Sequence, residues 1–126
     1  MGIFSVFTSK ETESFPWIEL TSTDQLRSVI ESSTDRVTLI FKHSTRCSIS
    51  SMAKSRFESK WNISTENIDL YLLDLITYRE ISNEIADITG IIHQSPQVIV
   101  LKNKEVLYTE THSNIDANVI QDMLSI

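Results

Sequence analysis

Apolar residues follow two rhythms along this chain. Short unbroken runs, Val37-Thr38-Leu39-Ile40-Phe41, Ile68 to Leu75 and Val98 to Leu101, have the apolar, partly β-branched character of buried strands. Between them apolar positions recur every three or four residues, as on one face of a helix. Leu26, Val29 and Ile30 mark one such face, and Ile49, Met52, Ala53, Phe57 and Trp61 mark another over 48–61. Ile81, Ile85 and Ile88 mark a third, and Val119, Ile120, Met123 and Leu124 a fourth. Trp17-Ile18-Glu19-Leu20 predicts a short first strand, and Lys102-Asn103-Lys104-Glu105 reads as a hairpin joining 98–101 to a strand over 106–109. Ser22 with Gln25, and Thr77 with Glu80, have the spacing of capping boxes. Gly90, one of only two glycines, is placed to close the helix that Thr77 opens.

The resulting order is β-α-β-α-β-α-β-β-α. Strands that alternate with helices pair in parallel, and the late hairpin adds an antiparallel edge. The expectation is an α/β fold with a mixed central sheet and helices on both faces, over residues 16–126. Residues 1–15, ended by Pro16, read as a flexible polar lead-in. No internal repeat, linker or low-complexity tract is evident.

Composition narrows the function classes. At 126 residues the chain is one domain with enough core to fold without disulfides or metals. No stretch is long enough to span a membrane, and no basic n-region precedes an apolar h-region. A lone cysteine suits a reducing compartment, so the expected location is cytoplasmic, with no membrane partner. Paired-cysteine zinc spacings are absent and the three histidines are scattered, so no metal site is expected. The net charge of −6 argues against nucleic-acid binding. Six of the 11 basic residues (Arg36, Lys42, Arg46, Lys54, Arg56 and Lys60) fall between positions 36 and 60, where Glu58 is the only acid. The other 5 basic and 16 acidic residues leave the remainder at −11.

Inside that basic island stands Cys47, where the 37–41 strand gives way to the 48–61 helix. A cysteine at a helix start meets unpaired N–H groups and the positive end of the helix dipole, which stabilise the thiolate, the nucleophilic form. Lys42 and Arg46 flank it and are expected to stabilise the thiolate or attract an anionic substrate. Lys54, Arg56 and Lys60 read equally well as the wet face of the helix.

The order of elements and the strand–loop–Cys–helix arrangement over Phe41 to Ala53 resemble the thioredoxin fold. Gly90-Ile91-Ile92-His93-Gln94-Ser95-Pro96 before a strand at 97–101 resembles the segment that carries that fold's cis-proline. The likeness implies a cis bond at Pro96, across from the active cysteine, with Ser95 presenting its backbone to a disulfide partner. Closer still, Phe41-Lys42-His43-Ser44-Thr45-Arg46-Cys47-Ser48-Ile49-Ser50 resembles the monothiol bacilliredoxins, whose usual pattern is Thr-Cys-Pro-Ile-Ser. Cys47, Ile49 and Ser50 match; Ser48 stands in for the proline, Arg46 replaces the preceding residue, and Thr45 lies one position further upstream. The resemblance covers about residues 15 to 126.

It implies thiol–disulfide exchange with bacillithiol, a low-molecular-weight thiol bearing a malate group, as co-substrate and no bound cofactor. Bacillithiolated proteins would be the partners, and Cys47 the nucleophile. Lys42, Thr45, Arg46, Ser48, Ser95 and Pro96 would form the substrate contacts. Ser50 stands where two-cysteine relatives carry a resolving cysteine; it cannot form that disulfide, so resolution falls to an external thiol. Ser50 either donates a hydrogen bond to the thiolate or satisfies local backbone. Phe41 occupies the place of the buried thioredoxin acid, so that proton path is missing. Ser48 leaves the helix start more flexible than proline would. His43 is expected in a loop facing water, and His93 near the proline segment. Phe57 and Trp61 are expected in the core.

Three other readings remain. A monothiol glutaredoxin holding glutathione or a [2Fe–2S] cluster shares only the Cys-x-x-Ser skeleton, and Thr111-His112-Ser113-Asn114 lacks that family's glycines. A thioredoxin-like binding module or thiol stress sensor would modify Cys47 without turnover. Arsenate reduction normally needs further cysteines.

Overall fold

The computed structural model describes residues 15–124. The lead-in through residue 14 lies outside them, but Phe15 belongs to the folded unit, its ring 4.8 Å from Trp17 and 6.1 Å from Phe57. In chain order the elements are β1 (Ile18–Glu19), α1 (Thr23–Ser32), β2 (Val37–His43), α2 (Ser48–Lys60), β3 (Ile68–Asp74), α3 (Arg79–Thr89), β4 (Gln97–Lys102), β5 (Glu105–Thr111), a short 3-10 turn (His112–Asn114) and α4 (Ala117–Leu124). The five strands form one sheet in the order β1-β3-β2-β4-β5. β3 is parallel to both β1 and β2, whereas β4 runs antiparallel to β2 and to β5.

Side chains alternate across the sheet, as pleated strands require. Leu39 and Phe41 face a core built with Ala53 and Phe57 of α2 and Ala117 and Ile120 of α4. Ile40 faces the opposite core, built with Leu26 and Val29 of α1 and Ile81 and Ile85 of α3. Trp61 stacks on Phe57 at 5.4 Å beside the first core. The alternation sends His43 toward α2 and Lys42 toward α3.

Several expectations are revised by local contacts. β2 extends to His43, because parallel pairing with β3 continues through His43↔Asp74. In α2 the inward stripe is Ser50, Ala53 and Phe57, while Ile49 and Met52 are 56% and 65% exposed. Thr77 does not cap α3. Asp74 organises that turn instead: its carboxylate accepts from the Ile76 and Thr77 N–H groups and from the Thr77 hydroxyl, and Tyr78 becomes the N-cap. Ile88 and Val119 are exposed. In α4 the buried neighbour of Ile120 is Gln121, whose amide accepts from Asn62 and Ile63 N–H and donates to the Lys60 carbonyl. Only half of the first capping box forms. Gln25 N–H donates to Ser22 Oγ at 3.0 Å, but the Gln25 carbonyl takes the N–H of Thr21 rather than of Ser22. Gly90 closes α3 at φ +73°, the left-handed region that glycine enters without strain. In the hairpin Asn103 and Lys104 also have positive φ, and their N–H groups donate to the backbone carbonyl and the hydroxyl of Ser33.

Candidate active site

Cys47 is the N-cap of α2, extended at φ −109° and partly exposed, with no hydrogen bond from its side chain to the helix. Two backbone bonds fix the loop around it. Cys47 N–H donates to the Ser44 carbonyl at 3.2 Å, and Ser51 N–H donates to the Cys47 carbonyl at 3.0 Å. Cys47 therefore stands at the N-terminus of α2, where the first-turn N–H groups have no partner within the helix.

Ser50 ties the start of this helix to the end of β2. It is fully buried; its hydroxyl oxygen accepts from Ser44 N–H at 3.0 Å and lies 2.6 Å from His43 Nδ1. A hydroxyl has one proton and two lone pairs, so Ser50 can serve Nδ1 as donor or as acceptor while it accepts from Ser44 N–H. Of the two roles open to Ser50, local satisfaction is the one its hydrogen bonds describe. His43 itself is 8% exposed, not a water-facing loop residue. Burial holds its pKa below 6.5, with Lys54 adding to the shift and Asp74 and Glu58 opposing it.

The basic island does not form one patch. Arg36, at the far end of β2 from Cys47, pairs with Asp69 at 3.0 Å and donates to the carbonyls of Thr65, Glu66 and Ile68. Lys54 pairs with Glu58 at 2.7 Å, and Glu58 also accepts from Trp17 Nε1. Arg46 is exposed beside Cys47, as are Thr45 and Ser48, and these three stand open to a ligand. Lys42 is different. Its side chain is fully buried, its ammonium has no hydrogen-bond partner among the described residues, and desolvation pulls its pKa down to about 8. The expectation that Lys42 contacts an incoming anion is corrected by that burial: its charge is sealed beneath the side of the sheet covered by α3.

Ser95 and Pro96 reach the same end of the sheet. β4 runs antiparallel to β2 with Lys42 opposite Gln97, so Pro96 follows one step beyond, beside the Cys47 loop. The Ser95–Pro96 peptide bond is cis, and the Pro96 carbonyl accepts from His112 N–H. Ser95 Oγ is buried without a partner among the described residues. His93 lies on the Lys42 side, its Nδ1 3.1 Å from Ser82 Oγ, and burial, Lys42 and Arg79 hold its pKa below 6.5.

Sequence reasoning missed Asp74 and Tyr78, which wall a cleft of about 290 Å³ shared with His43 and Thr45. The available signal was Asp74 at the carboxyl end of a strand parallel to the one that delivers Cys47. It also missed a second, more apolar cleft between α2 and the 112–114 turn, lined by the exposed Ile49 and Met52 with Arg56 and His112.

A central strand delivering one cysteine to a helix start, beside a cis-proline segment, defines a thioredoxin-fold protein of the oxidoreductase class. Solved structures agree. One, described as "A putative oxidoreductase with a thioredoxin fold", is 30% identical, with a TM-score of 0.73 over 85% of this chain and 92% of that one. Malassezia sympodialis thioredoxin (Mala s 13) is 22% identical, with a TM-score of 0.63 over 85% of this chain and 86% of its own. Thioredoxin from Trypanosoma brucei brucei is 16% identical, with a TM-score of 0.67 over 88% and 90%. The family model "Monothiol bacilliredoxin BrxC" matches residues 18–120. The chain belongs to the monothiol bacilliredoxin family. Among the described residues, no helix is long and apolar enough to cross a membrane.

Proposed function

We propose that this protein removes bacillithiol from mixed disulfides on proteins by monothiol exchange at Cys47 in the cytoplasm. The Cys47 thiolate attacks the bacillithiol sulfur of a protein–bacillithiol disulfide; that S–S bond breaks, a Cys47–bacillithiol disulfide forms, and the protein leaves as a thiolate that takes a proton from solvent. An external thiolate then attacks the bacillithiol sulfur, freeing Cys47 and carrying the bacillithiol away as a new disulfide.

The observation that carries this reading is the first turn of α2. Its N-cap is the only cysteine, and the position three residues on is a buried serine committed to His43 and Ser44. No second cysteine in the sequence competes for the mixed disulfide. Thr45, Arg46 and Ser48 offer exposed contacts, with Arg46 the cation suited to the malate carboxylates. The backbone of Ser95 beside Pro96 serves as the edge on which a disulfide-bonded partner pairs.

The test is turnover of a bacillithiolated protein with an external thiol in excess. Wild type should release protein thiol over many cycles and Cys47→Ser none. Single-cycle modification of Cys47 without turnover would support the sensor reading instead.

A further inference from the structure

An apolar cleft of about 480 Å³ runs along α2 against the 112–114 turn. Ile49, Met52 and Arg56 follow one another down its helical wall, with His112 and Ser113 opposite. Ile49 and Met52 are both exposed, and adjacent apolar side chains left open in a cleft are the pattern of a contact surface. At that size the cleft is in the range of pockets that enclose a ligand, about 300–1,000 Å³, with room for a few side chains.

The sequence supplies a matching segment. Ile3-Phe4-Ser5-Val6-Phe7 is apolar at four positions of five, two of them aromatic, ahead of the polar run 8–14. The connection is long enough. Phe15 packs its ring 6.1 Å from Phe57, on the flank of α2 that also carries Lys54 and Glu58. The cleft lies on the other flank, and between the two stand only the small, exposed Ser55 and Ser59. The chain from Phe7 to Phe15 spans up to about 26 Å when extended, and the helix to be crossed is about 10–12 Å wide. The charges along that route also match. Residues 8–14 carry Glu11 and Glu13 against Lys10, while Arg56 and Lys60 of α2 have no ion pair among the described residues. A short tether holds a segment at an effective concentration of about millimolar, an advantage that a separate partner lacks.

We propose that residues 3–7 pack back into this cleft, their two Phe rings against Ile49 and Met52, with Glu11 and Glu13 drawn toward Arg56 and Lys60. Docked there, the segment covers the flank of α2 that begins two residues after Cys47. A protein partner meets it on the way to the thiol, whereas a small disulfide does not. That shielding rests on the reading of Cys47 as an exchanging thiol; the packing itself does not.

The experiment is NMR on the full chain, as Cys47→Ser, with labelled Ile and Met methyls and Phe rings. NOEs should join the Phe4 and Phe7 rings to the Ile49 and Met52 methyls. Phe4→Ser with Phe7→Ser should abolish them and shift both methyl resonances, leaving the Ile88 methyl on α3 in place. Ile49 and Met52 resonances unmoved by the double substitution would overturn the packing. So would NOEs seen only between chains in a mixture of labelled and unlabelled protein, which would make the occupant a second copy. Shielding is read with Cys47 present, as the ratio of its exchange rate with a bacillithiolated protein to that with bis(2-hydroxyethyl) disulfide. A segment docked at least half the time halves the open fraction, so the double substitution should raise this ratio about twofold or more. An unchanged ratio would overturn the shielding. If Cys47 reacts with neither reagent, the exchange reading fails, and the NOEs still decide the packing.

Discussion

Replacing Ser50 with alanine removes one oxygen from a fully buried position and orphans two partners. His43 Nδ1 loses its hydrogen-bond partner inside a ring that is 8% exposed, so its desolvation is left almost uncompensated, a cost of about 2 kcal/mol. Ser44 N–H is half-buried and can recruit water, so its loss falls near the low end, about 1 kcal/mol. Alanine regains roughly 0.5 kcal/mol of helix propensity. The net expectation is a loss of about 2–3 kcal/mol. With a urea m-value of roughly 1.5 kcal/mol/M for a domain of this size, the midpoint should fall by about 1.3–2 M. Because the same oxygen fixes the Cys47 loop against β2, the exchange rate should fall as well, while Ser50→Thr retains part of both. Urea unfolding followed by Trp fluorescence, paired with mixed-disulfide kinetics at Cys47, checks both. A Ser50→Ala variant as stable as wild type and equally fast would refute the positioning role assigned to this serine.

Lys42 predicts an unusual alkaline effect. Its folded pKa of about 8 lies below the ordinary 10.5, so above pH 8 the folded chain releases a proton that the unfolded chain still holds. Stability should therefore rise between about pH 8 and 10.5, by up to about 3 kcal/mol, and Lys42→Met should be more stable at pH 7 and lose that rise; a flat profile in wild type over this window would contradict the buried charge. His43 and His93 act at the other end. Both are held below 6.5, so on acidification the unfolded chain takes up protons first and stability should fall as pH drops through 6.5; thermal unfolding of His43→Gln and His93→Gln should show a shallower fall. Gly90→Ala should cost about 1 kcal/mol from the left-handed backbone alone, since a Cβ there meets no atom within 4 Å; a neutral result by chemical denaturation would show that α3 ends differently.

The parts of the fold legible from residue order were those set by local rules. The 37–41 run had to be a buried strand, Gly90 had to end a helix, and Cys47 had to lie where the two periodicities meet. The parts that were not legible depend on what packs nearby. Ile49 and Met52 continue a helical apolar pattern that includes Ala53 and Phe57, yet the inward face of the first turn belongs to Ser50, because β2 offers it His43 and the Ser44 N–H. Lys42 and His43 looked like a polar loop after a strand that ended at Phe41. Pairing with Leu73 and Asp74 carried the strand through both residues and turned one toward each face. Thr77 has the spacing of a cap, but the Asp74 carboxylate at the end of β3 takes the Ile76 and Thr77 N–H groups. Charge counted along the sequence likewise placed Arg36 near the thiol, whereas the strand places it at the far end of the sheet.

The most direct test of the account is a single-turnover mix of this protein with a bacillithiolated protein, followed by intact-mass measurement of both. The account predicts that the partner loses one bacillithiol as this chain gains one, with the adduct mapped to Cys47 and absent in Cys47→Ser. A partner that stays bacillithiolated while Cys47 remains open to alkylation would contradict it.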